Sequence, residues 1–214
     1  MIPWPRLDPC RALPLNHLAH ALLAAPDDDC MLGSLIADFL RGAIDPAMAR
    51  GVRIGVALHR AVDVYTDAHP EVVAARARFE PPYRRYAGIL LDMWFDHLLA
   101  REWERYGVGS LHAFSQRVQQ LLSRRSPEVP QRMHAFVRYL HAHDLPERYR
   151  QPAAMADALR GLSMRLSRAN PLAESLPVLE ALTAPLAVHF AAFFPDLVAH
   201  AAAERERLAA TLPR

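Results

Sequence analysis

The chain has 214 residues, a length that one hydrophobic core can carry, and no linker divides it, so we expect a single domain. Apolar residues make up 52% and charged residues 22%, which excludes a disordered or collagen-like chain and favours a globular protein. The net charge of +2 argues against a nucleic-acid partner, and because every one of the 25 basic residues is Arg, lysine-based chemistry is excluded.

The N-terminal segment differs from the rest of the chain. Residues 1–14 contain four prolines and no periodic apolar face, so we predict an irregular extension there and a domain over 15–214. The apolar run 15–25 is short and interrupted by polar residues, which argues against a membrane span or a signal peptide. Because Cys10 and Cys30 give no disulfide framework, we expect a cytoplasmic protein.

From residue 15 onward, helix signals dominate. Apolar residues recur every three or four positions, prolines fall near proposed boundaries, and no segment alternates convincingly as a strand does. The sequence therefore predicts one compact all-α domain. Its predicted helices span 15–25, 30–41, 46–68, 70–80, 83–106, 110–124, 128–143, 152–168, 172–190 and 195–211.

Charged side chains inside apolar runs are the informative exceptions, because an unpaired buried charge is costly. Asp92 and Asp96 stand one helical turn apart within the apolar run 89–99. Their carboxylates repel each other when buried, and a cation between them is the natural remedy. An arginine from another helix is the structural alternative.

Histidine and aspartate also share a face of the predicted helix 46–68. His59, Asp63 and Asp67 follow one another at four-residue steps, a spacing with which one helix can hold a divalent metal. Two further oddities are Asp38, inside an apolar run, and His20, in the first helix. Each has an ordinary alternative, since Asp38 can pair with a nearby arginine and either histidine can be a satisfied core residue.

The same residues carry a family resemblance. The sequence resembles the acyl carrier protein phosphodiesterases, divergent members of the HD-type metal-dependent phosphohydrolases. The matching stretches keep their order and approximate spacing, and they are 16–20, 33–42, 59–67 and 91–103, with a weaker echo at 190–195.

The resemblance implies hydrolysis of the phosphodiester that joins 4′-phosphopantetheine to a serine of holo-acyl carrier protein. It also implies an HD-like helical fold and a metal, with Mn²⁺ preferred and Fe²⁺ or Mg²⁺ as options. Six ligand candidates exceed the shell of one octahedral ion, so either two metals bind or some candidates only support the ligands. The candidates are His20, Asp38, His59, Asp63, Asp92 and Asp96, with Asp38 expected to be the indispensable carboxylate.

The resemblance also suggests roles for basic residues. Arg60 and Arg41 are candidates for holding the charge that builds on phosphorus, although they can equally neutralise neighbouring carboxylates. His97 is a candidate general acid for the leaving serine oxygen, or a residue that orients a carboxylate. Because the carrier protein is acidic, an arginine-lined docking face is expected, and its candidates are Arg50, Arg53, Arg84 and Arg85.

Two other functions stay open at the sequence level. One is an HD-like phosphohydrolase that acts on a nucleotide or another small phosphoester. The other is a metal-free helical binding module whose acidic groups are paired by arginines. Residues 1–14 have no counterpart in the family, so their removal is expected to leave activity intact.

Overall fold

The structure is a computed structural model that describes residues 16–166 and 168–213. Every regular element in these two ranges is helical, which confirms the predicted all-α class. The buried apolar side chains of these ranges belong to one cluster, so the helices share a single core. The predicted irregular extension, residues 1–14, lies outside the described residues.

In chain order, the α-helices of the described residues are α1 (His17–Ala24), α2 (Asp28–Ile36), α3 (Arg50–Ala68), α4 (Pro70–Ala77), α5 (Ala87–Arg101), α6 (Trp103–Tyr106), α7 (Leu111–Arg124), α8 (His134–Ala142), α9 (Pro152–Ser163), α10 (Leu176–Ala181) and α11 (Thr183–Thr211). Single turns of 3-10 helix lie between several of them, at Ala37–Phe39, Tyr83–Tyr86, Ser126–Glu128, Gln131–Met133, Glu147–Arg150 and Leu172–Glu174.

Helices α2 and α3 pack with their backbones nearly in contact. A Cβ atom added to Gly33 would lie 2.0 Å from the carbonyl oxygen of Val52, and one added to Gly55 would lie 2.0 Å from that of Cys30. Glycine at both positions therefore allows the close approach. As a result, the turn that follows α2 lies beside the middle of α3.

Local chemistry explains where α2 begins and ends. The predicted helix 30–41 starts earlier, at Asp28, because the Asp27 carboxylate accepts a hydrogen bond from the Cys30 N–H at 2.8 Å and caps the helix. The α-helix ends at Ile36, and the chain then tightens into the 3-10 turn that carries Asp38.

Other boundaries are partly as predicted. Proline occupies the first position of α4 and of α9, where its missing N–H costs little. The predicted helices 128–143 and 152–168 are shortened to α8 and α9, and the predicted helix 46–68 begins only at Arg50.

The long helix predicted over 83–106 is divided. A 3-10 turn precedes α5, and the chain breaks helical geometry at Glu102 before the short α6. The buried indole of Trp103 donates a hydrogen bond to the Gly109 carbonyl at 3.0 Å and occupies the space where a side chain at position 107 would lie. Packing of this indole therefore outweighs the continuous apolar pattern.

The prediction of a helix boundary between 190 and 195 is wrong, because Pro195 lies inside α11. Phe190, Phe193, Phe194 and Leu197 are all buried on either side of it. This packing outweighs the hydrogen bond that an internal proline removes. The predicted helix 172–190 is likewise wrong as one element, since a 3-10 turn, α10 and the start of α11 replace it.

Helix α11 is long and apolar enough to cross a membrane by length and composition alone. A core helix of a water-soluble protein passes the same test, and α11 buries its aromatic face against α3, α4 and the rest of the core. The evidence for a membrane span is therefore weak.

Candidate metal centre

Three segments bring four of the predicted residues together. Helix α1 provides His20, the turn after α2 provides Asp38, and consecutive turns of α3 provide His59 and Asp63. The Nε2 atom of His20 lies 3.2 Å from Oδ1 of Asp63. The Nε2 atom of His59 lies 3.2 Å from Oδ1 of Asp38 and also 3.2 Å from Oδ2 of Asp63. One ligand atom from each of His20, His59 and Asp63 lies within 4.8 Å of the other two.

His59 faces two carboxylates through a single nitrogen. Burial lowers the pKa of this imidazole, but the contacts with the Asp38 and Asp63 carboxylates outweigh burial and raise the pKa to about 9. One N–H can make a well-aligned hydrogen bond to only one of the two oxygens. A divalent cation in place of that proton can bind both carboxylates, so this geometry suits a metal ligand set.

The other imidazole is held in the opposite protonation state. The rings of His20 and His59 stack with their centroids 3.8 Å apart and their planes inclined by 19°. Burial and the neighbouring charge of His59 lower the pKa of His20, so His20 is neutral at pH 7. A neutral imidazole is the form that binds a metal.

The carboxylate of Asp63 connects the two histidines. Burial raises its pKa, but the contacts with the imidazoles of His20 and His59, each at 3.2 Å, outweigh burial and hold the pKa below its usual range. Asp63 is therefore ionised at neutral pH. Together with Asp38, it supplies the negative charge that a divalent cation requires.

A small cavity adjoins this cluster. Its volume of about 20 Å³ leaves room for about one water molecule. His20 and Thr66 line one side, Asp92 and Asp96 of α5 line another, and aromatic side chains from α5 and α11 close it. These aromatic residues are Phe95, Phe190, Phe193 and Phe194.

Asp92 lies within electrostatic reach of the cluster. Burial raises its pKa to about 7; Arg76 lowers that pKa, while the charges of Asp63 and Asp38 raise it further. Because Asp92 shares the cavity with His20, it is placed to contribute to a site that spans the cavity and the cluster.

Asp96 has a different environment from Asp92. Its two carboxylate oxygens each accept a backbone hydrogen bond at 2.9 Å, from the N–H groups of Leu18 and Ala19 in the first turn of α1. Burial raises the pKa of Asp96 to about 8, although these two donors pull it down. The N-terminus of α1 is therefore the partner that the described residues give to the Asp96 carboxylate, and a cation between Asp92 and Asp96 stays a prediction.

The structure does not bring His97 to the cluster. Its Nδ1 atom lies 2.7 Å from the Tyr149 carbonyl oxygen, and its ring packs on Trp94. Side chains of neighbouring helical residues point about 100° apart, so His97 lies on a different face of α5 from Asp92 and Asp96. This placement argues against the predicted role of His97 as a general acid.

The two predicted phosphate-binding arginines lie in or against the loop that follows Asp38. Arg60 donates a hydrogen bond to the Gly42 carbonyl at 3.0 Å and therefore ties that loop to α3. Arg41 is exposed in the same loop. Arg60 follows His59 directly and Arg41 follows Asp38 by three residues, and neither forms one of the ion pairs found among the described residues.

The predicted docking arginines divide into two pairs. Arg50 donates to the carbonyl oxygens of Leu212 and Ala209, and Arg53 donates to that of Pro213 at 2.7 Å. These two guanidinium groups hold the end of α11, so their prediction as a docking face is corrected. Arg84 and Arg85, in contrast, are exposed.

The donor set fits a hard or borderline divalent ion. Two imidazole nitrogens and two carboxylates converge, which is the ligand chemistry of Mn²⁺, Fe²⁺ and Zn²⁺ and not that of a thiolate site. Both ring nitrogens of His20 and the Nδ1 atom of His59 are buried and have no hydrogen-bond partner among the described residues. The cluster leaves both Nε2 atoms directed at carboxylates, so a shared cation is the arrangement that satisfies them together.

A helical fold that encloses a buried His–Asp cluster beside a cavity defines an enzyme-like site able to hold a metal ion. The model of the acyl carrier protein phosphodiesterase family matches residues 15–197 of this chain. The chain therefore belongs to the acyl carrier protein phosphodiesterase family and is a phosphodiesterase enzyme.

Individual relatives agree with the family match. The acyl carrier protein phosphodiesterase of Yersinia pestis is 36% identical over 87% of this chain and 97% of its own length. Those of Serratia proteamaculans and Escherichia coli O157:H7 are 35% and 34% identical over the same shares. No solved structure matches the chain significantly.

Sequence reasoning missed two features of the site. The capping role of Asp96 depends on a contact between residues 78 positions apart, which no local spacing reveals. Arg76 of α4 pairs with Asp67 at 2.5 Å and acts on Asp92, yet no motif singles it out.

Proposed function

We propose that this protein hydrolyses the phosphodiester that joins 4′-phosphopantetheine to a serine of holo-acyl carrier protein. The observation that carries the proposal is the convergence of His20, His59 and Asp63 within 4.8 Å in a chain of this family. Water adds its oxygen to phosphorus, and the bond between phosphorus and the serine oxygen breaks. The products are apo-acyl carrier protein, with a serine hydroxyl, and 4′-phosphopantetheine.

A divalent metal belongs to the same proposal. We assign His20, His59, Asp63 and Asp38 as its ligands, with Mn²⁺ preferred and Fe²⁺ or Mg²⁺ as alternatives. When bound, such an ion neutralises phosphoryl charge and makes water more acidic. Asp92 contributes from across the small cavity, and Asp96 supports the site indirectly by fixing the first turn of α1, which also carries His20.

The chain's own groups have distinct tasks in this reaction. Asp63 stays ionised, the Asp38 and Asp63 carboxylates hold His59 in place through its Nε2 atom, and His20 is in the neutral form that binds a metal. The aromatic wall from α5 and α11 excludes bulk water from the cavity, which strengthens every electrostatic interaction inside it. Arg41, exposed three residues after Asp38, is available to pair with a phosphoryl oxygen.

The contacts argue against the metal-free binding module. In such a module, arginines would pair with the acidic residues of the cluster. Among the described residues, however, the ion pairs of Asp38 and Asp63 are all with histidine, and arginine pairs with Asp67 on the surface instead. The second candidate therefore remains an HD-like phosphohydrolase of nucleotides, which would use the same cluster. We further propose that the protein acts in the cytoplasm.

One assay separates these functions. The purified protein, loaded with Mn²⁺, is incubated with holo-acyl carrier protein and, separately, with a panel of nucleotides, and the products are identified by mass spectrometry. We expect conversion of holo- to apo-acyl carrier protein, and loss of this activity in His59→Gln. Intact holo-acyl carrier protein together with hydrolysed nucleotides would overturn the proposal in favour of the second candidate.

A further inference from the structure

A second concave feature lies next to the candidate metal centre. It is an open groove of about 440 Å³ between α4 and the start of α5, which we call the α4–α5 groove. Its lining combines two guanidinium groups with small apolar surfaces, and it consists of Val73, Arg76, Ala77, Arg84, Ala87 and Gly88.

Two helices connect this groove to the metal centre. On α5, Gly88 lines the groove and Asp92, one turn later, lines the small cavity, so about 6 Å of helix separates them. On α3, Asp67 follows Asp63 by one turn and pairs with Arg76 of the groove at 2.5 Å. The groove therefore begins one helical turn from the residues that surround the cavity.

The chemistry of the groove suits an acidic polypeptide. No carboxylate is among its lining residues, Arg84 is exposed, and Arg84 forms no ion pair with a described residue. Val73 is 54% exposed and offers an apolar contact beside the charges. An acidic, partly apolar segment matches both features, because carboxylates pair with guanidinium groups while small side chains cover the valine.

The position of the groove limits the kind of ligand that can bind in it. A phosphodiester attached to a protein serine can reach the metal centre only if the polypeptide flanking that serine lies within a few ångströms of the cavity. The groove is an adjoining surface at that distance. Arg76 of its lining is paired with Asp67, whereas Arg84 forms no ion pair with a described residue and offers its positive charge to an acidic substrate protein.

We propose that the α4–α5 groove is the docking site for the acidic segment of the carrier protein that flanks the modified serine. The inference rests on the proposed function. Arg84 pairs with a carboxylate of that segment, and Val73 packs against its apolar side chains. The groove therefore takes the place of the face once expected at Arg50 and Arg53.

Charge reversal at Arg84 tests this assignment. We expect Arg84→Glu to raise the KM for holo-acyl carrier protein about tenfold, to leave kcat nearly unchanged and to flatten the dependence of KM on salt. The matched control is Arg101→Glu, which makes the same charge change on an exposed residue at the far end of α5, about 20 Å from Gly88. Arg101→Glu should keep the wild-type KM.

The outcomes distinguish the docking site from the proposed function. If the wild type hydrolyses holo-acyl carrier protein and both variants share its KM, the docking site is wrong and the function stands. If the wild type leaves holo-acyl carrier protein intact, the function itself is wrong. Mn²⁺ affinity, measured by calorimetry on each variant, should equal that of the wild type, and a loss in Arg84→Glu would mean that the residue acts on the metal centre instead.

Discussion

His59 illustrates how a buried site can favour a cation over a proton. Its Nε2 atom lies 3.2 Å from two carboxylates that belong to different elements, and only one of them can receive its N–H. In the metal-free protein, the proton is retained because both carboxylates raise the pKa of His59 to about 9. Metal binding must displace this proton, so affinity for the metal should increase with pH.

The same groups predict how the metal-free protein responds to pH. The folded-state pKa values of His59, Asp92 and Asp96, about 9, 7 and 8, all exceed the ordinary values of 6.5 for His and 3.8 for Asp. The folded state therefore binds more protons than the unfolded state, and stability is lost as pH rises through those values. We expect the free energy of unfolding, measured in urea with a chelator present, to fall between pH 6.5 and 9.

A matched variant isolates the histidine in that experiment. His59→Gln should show a shallower fall over the same pH range, since the titrating imidazole is gone. A metal-free wild type whose stability stays level or increases up to pH 9 would contradict the assignment of the retained protons.

Asp92 and Asp96 provide a second comparison, because they lie on one face of α5 and have different partners. Asp96→Asn replaces one acceptor by a donor opposite the N–H groups of Leu18 and Ala19 and should destabilise the protein by about 1–2 kcal/mol. Asp92→Asn removes a carboxylate that burial disfavours and should stabilise the metal-free protein above pH 7.

Metal binding provides the second measurement on this pair. Calorimetric titration with Mn²⁺ should show the larger loss of affinity for Asp92→Asn. Asp96→Asn should lower the affinity less, because it affects the site only by loosening α1. The assignment fails if Asp96→Asn keeps wild-type stability and loses a bound ion.

At the scale of the element, the α2–α3 contact controls the distance between Asp38 and His59. Gly33→Ala places a methyl group where the Val52 carbonyl lies, so the two helices must separate. We expect a loss of about 3 kcal/mol in stability and weaker metal binding. Urea unfolding and Mn²⁺ titration measure the two effects.

The control for this change is another glycine in a helix. Gly161 of α9 has only the end of the Arg165 side chain near its would-be Cβ, at 3.8 Å. Gly161→Ala should therefore stabilise the protein by about 0.5–1 kcal/mol, since glycine is unfavourable inside a helix. Equal effects of the two substitutions would show that the close α2–α3 packing is unimportant.

Element boundaries show what local sequence can and cannot predict. The starts of α4 and α9 follow from proline at the first helical position, a local property. Pro195 carries the same signal and misleads, because buried aromatic residues on both sides of it hold α11 together. Tertiary packing decides such cases, and no pattern within a few residues contains it.

The candidate site residues also divide into those that local sequence predicts and those that only tertiary packing brings together. His59 and Asp63 are one turn apart on a single helix, so their shared face could be predicted from spacing alone. Their meeting with His20 and Asp38 depends on how α1, α2 and α3 pack. For Asp96, the spacing with Asp92 suggested a shared cation, whereas packing placed the N-terminus of α1 against it.

At the scale of the whole molecule, one helical core places a buried His–Asp cluster, a small cavity and a basic groove next to one another. The cluster and the cavity share His20, and the groove and the cavity are joined along α5 from Gly88 to Asp92. Such an arrangement suits a phosphodiester that is attached to a protein. The reacting phosphorus can lie at the cluster while the polypeptide occupies the groove.

The most direct test of this account is the dependence of holo-acyl carrier protein hydrolysis on the metal. Enzyme freed of metal by chelation is mixed with holo-acyl carrier protein, and the mass of the carrier protein is followed before and after Mn²⁺ is added. The account predicts no conversion without metal, conversion to the apo form once Mn²⁺ is present, and none with His59→Gln in either condition. Equal conversion by the metal-free wild type, or by His59→Gln with Mn²⁺, would contradict it.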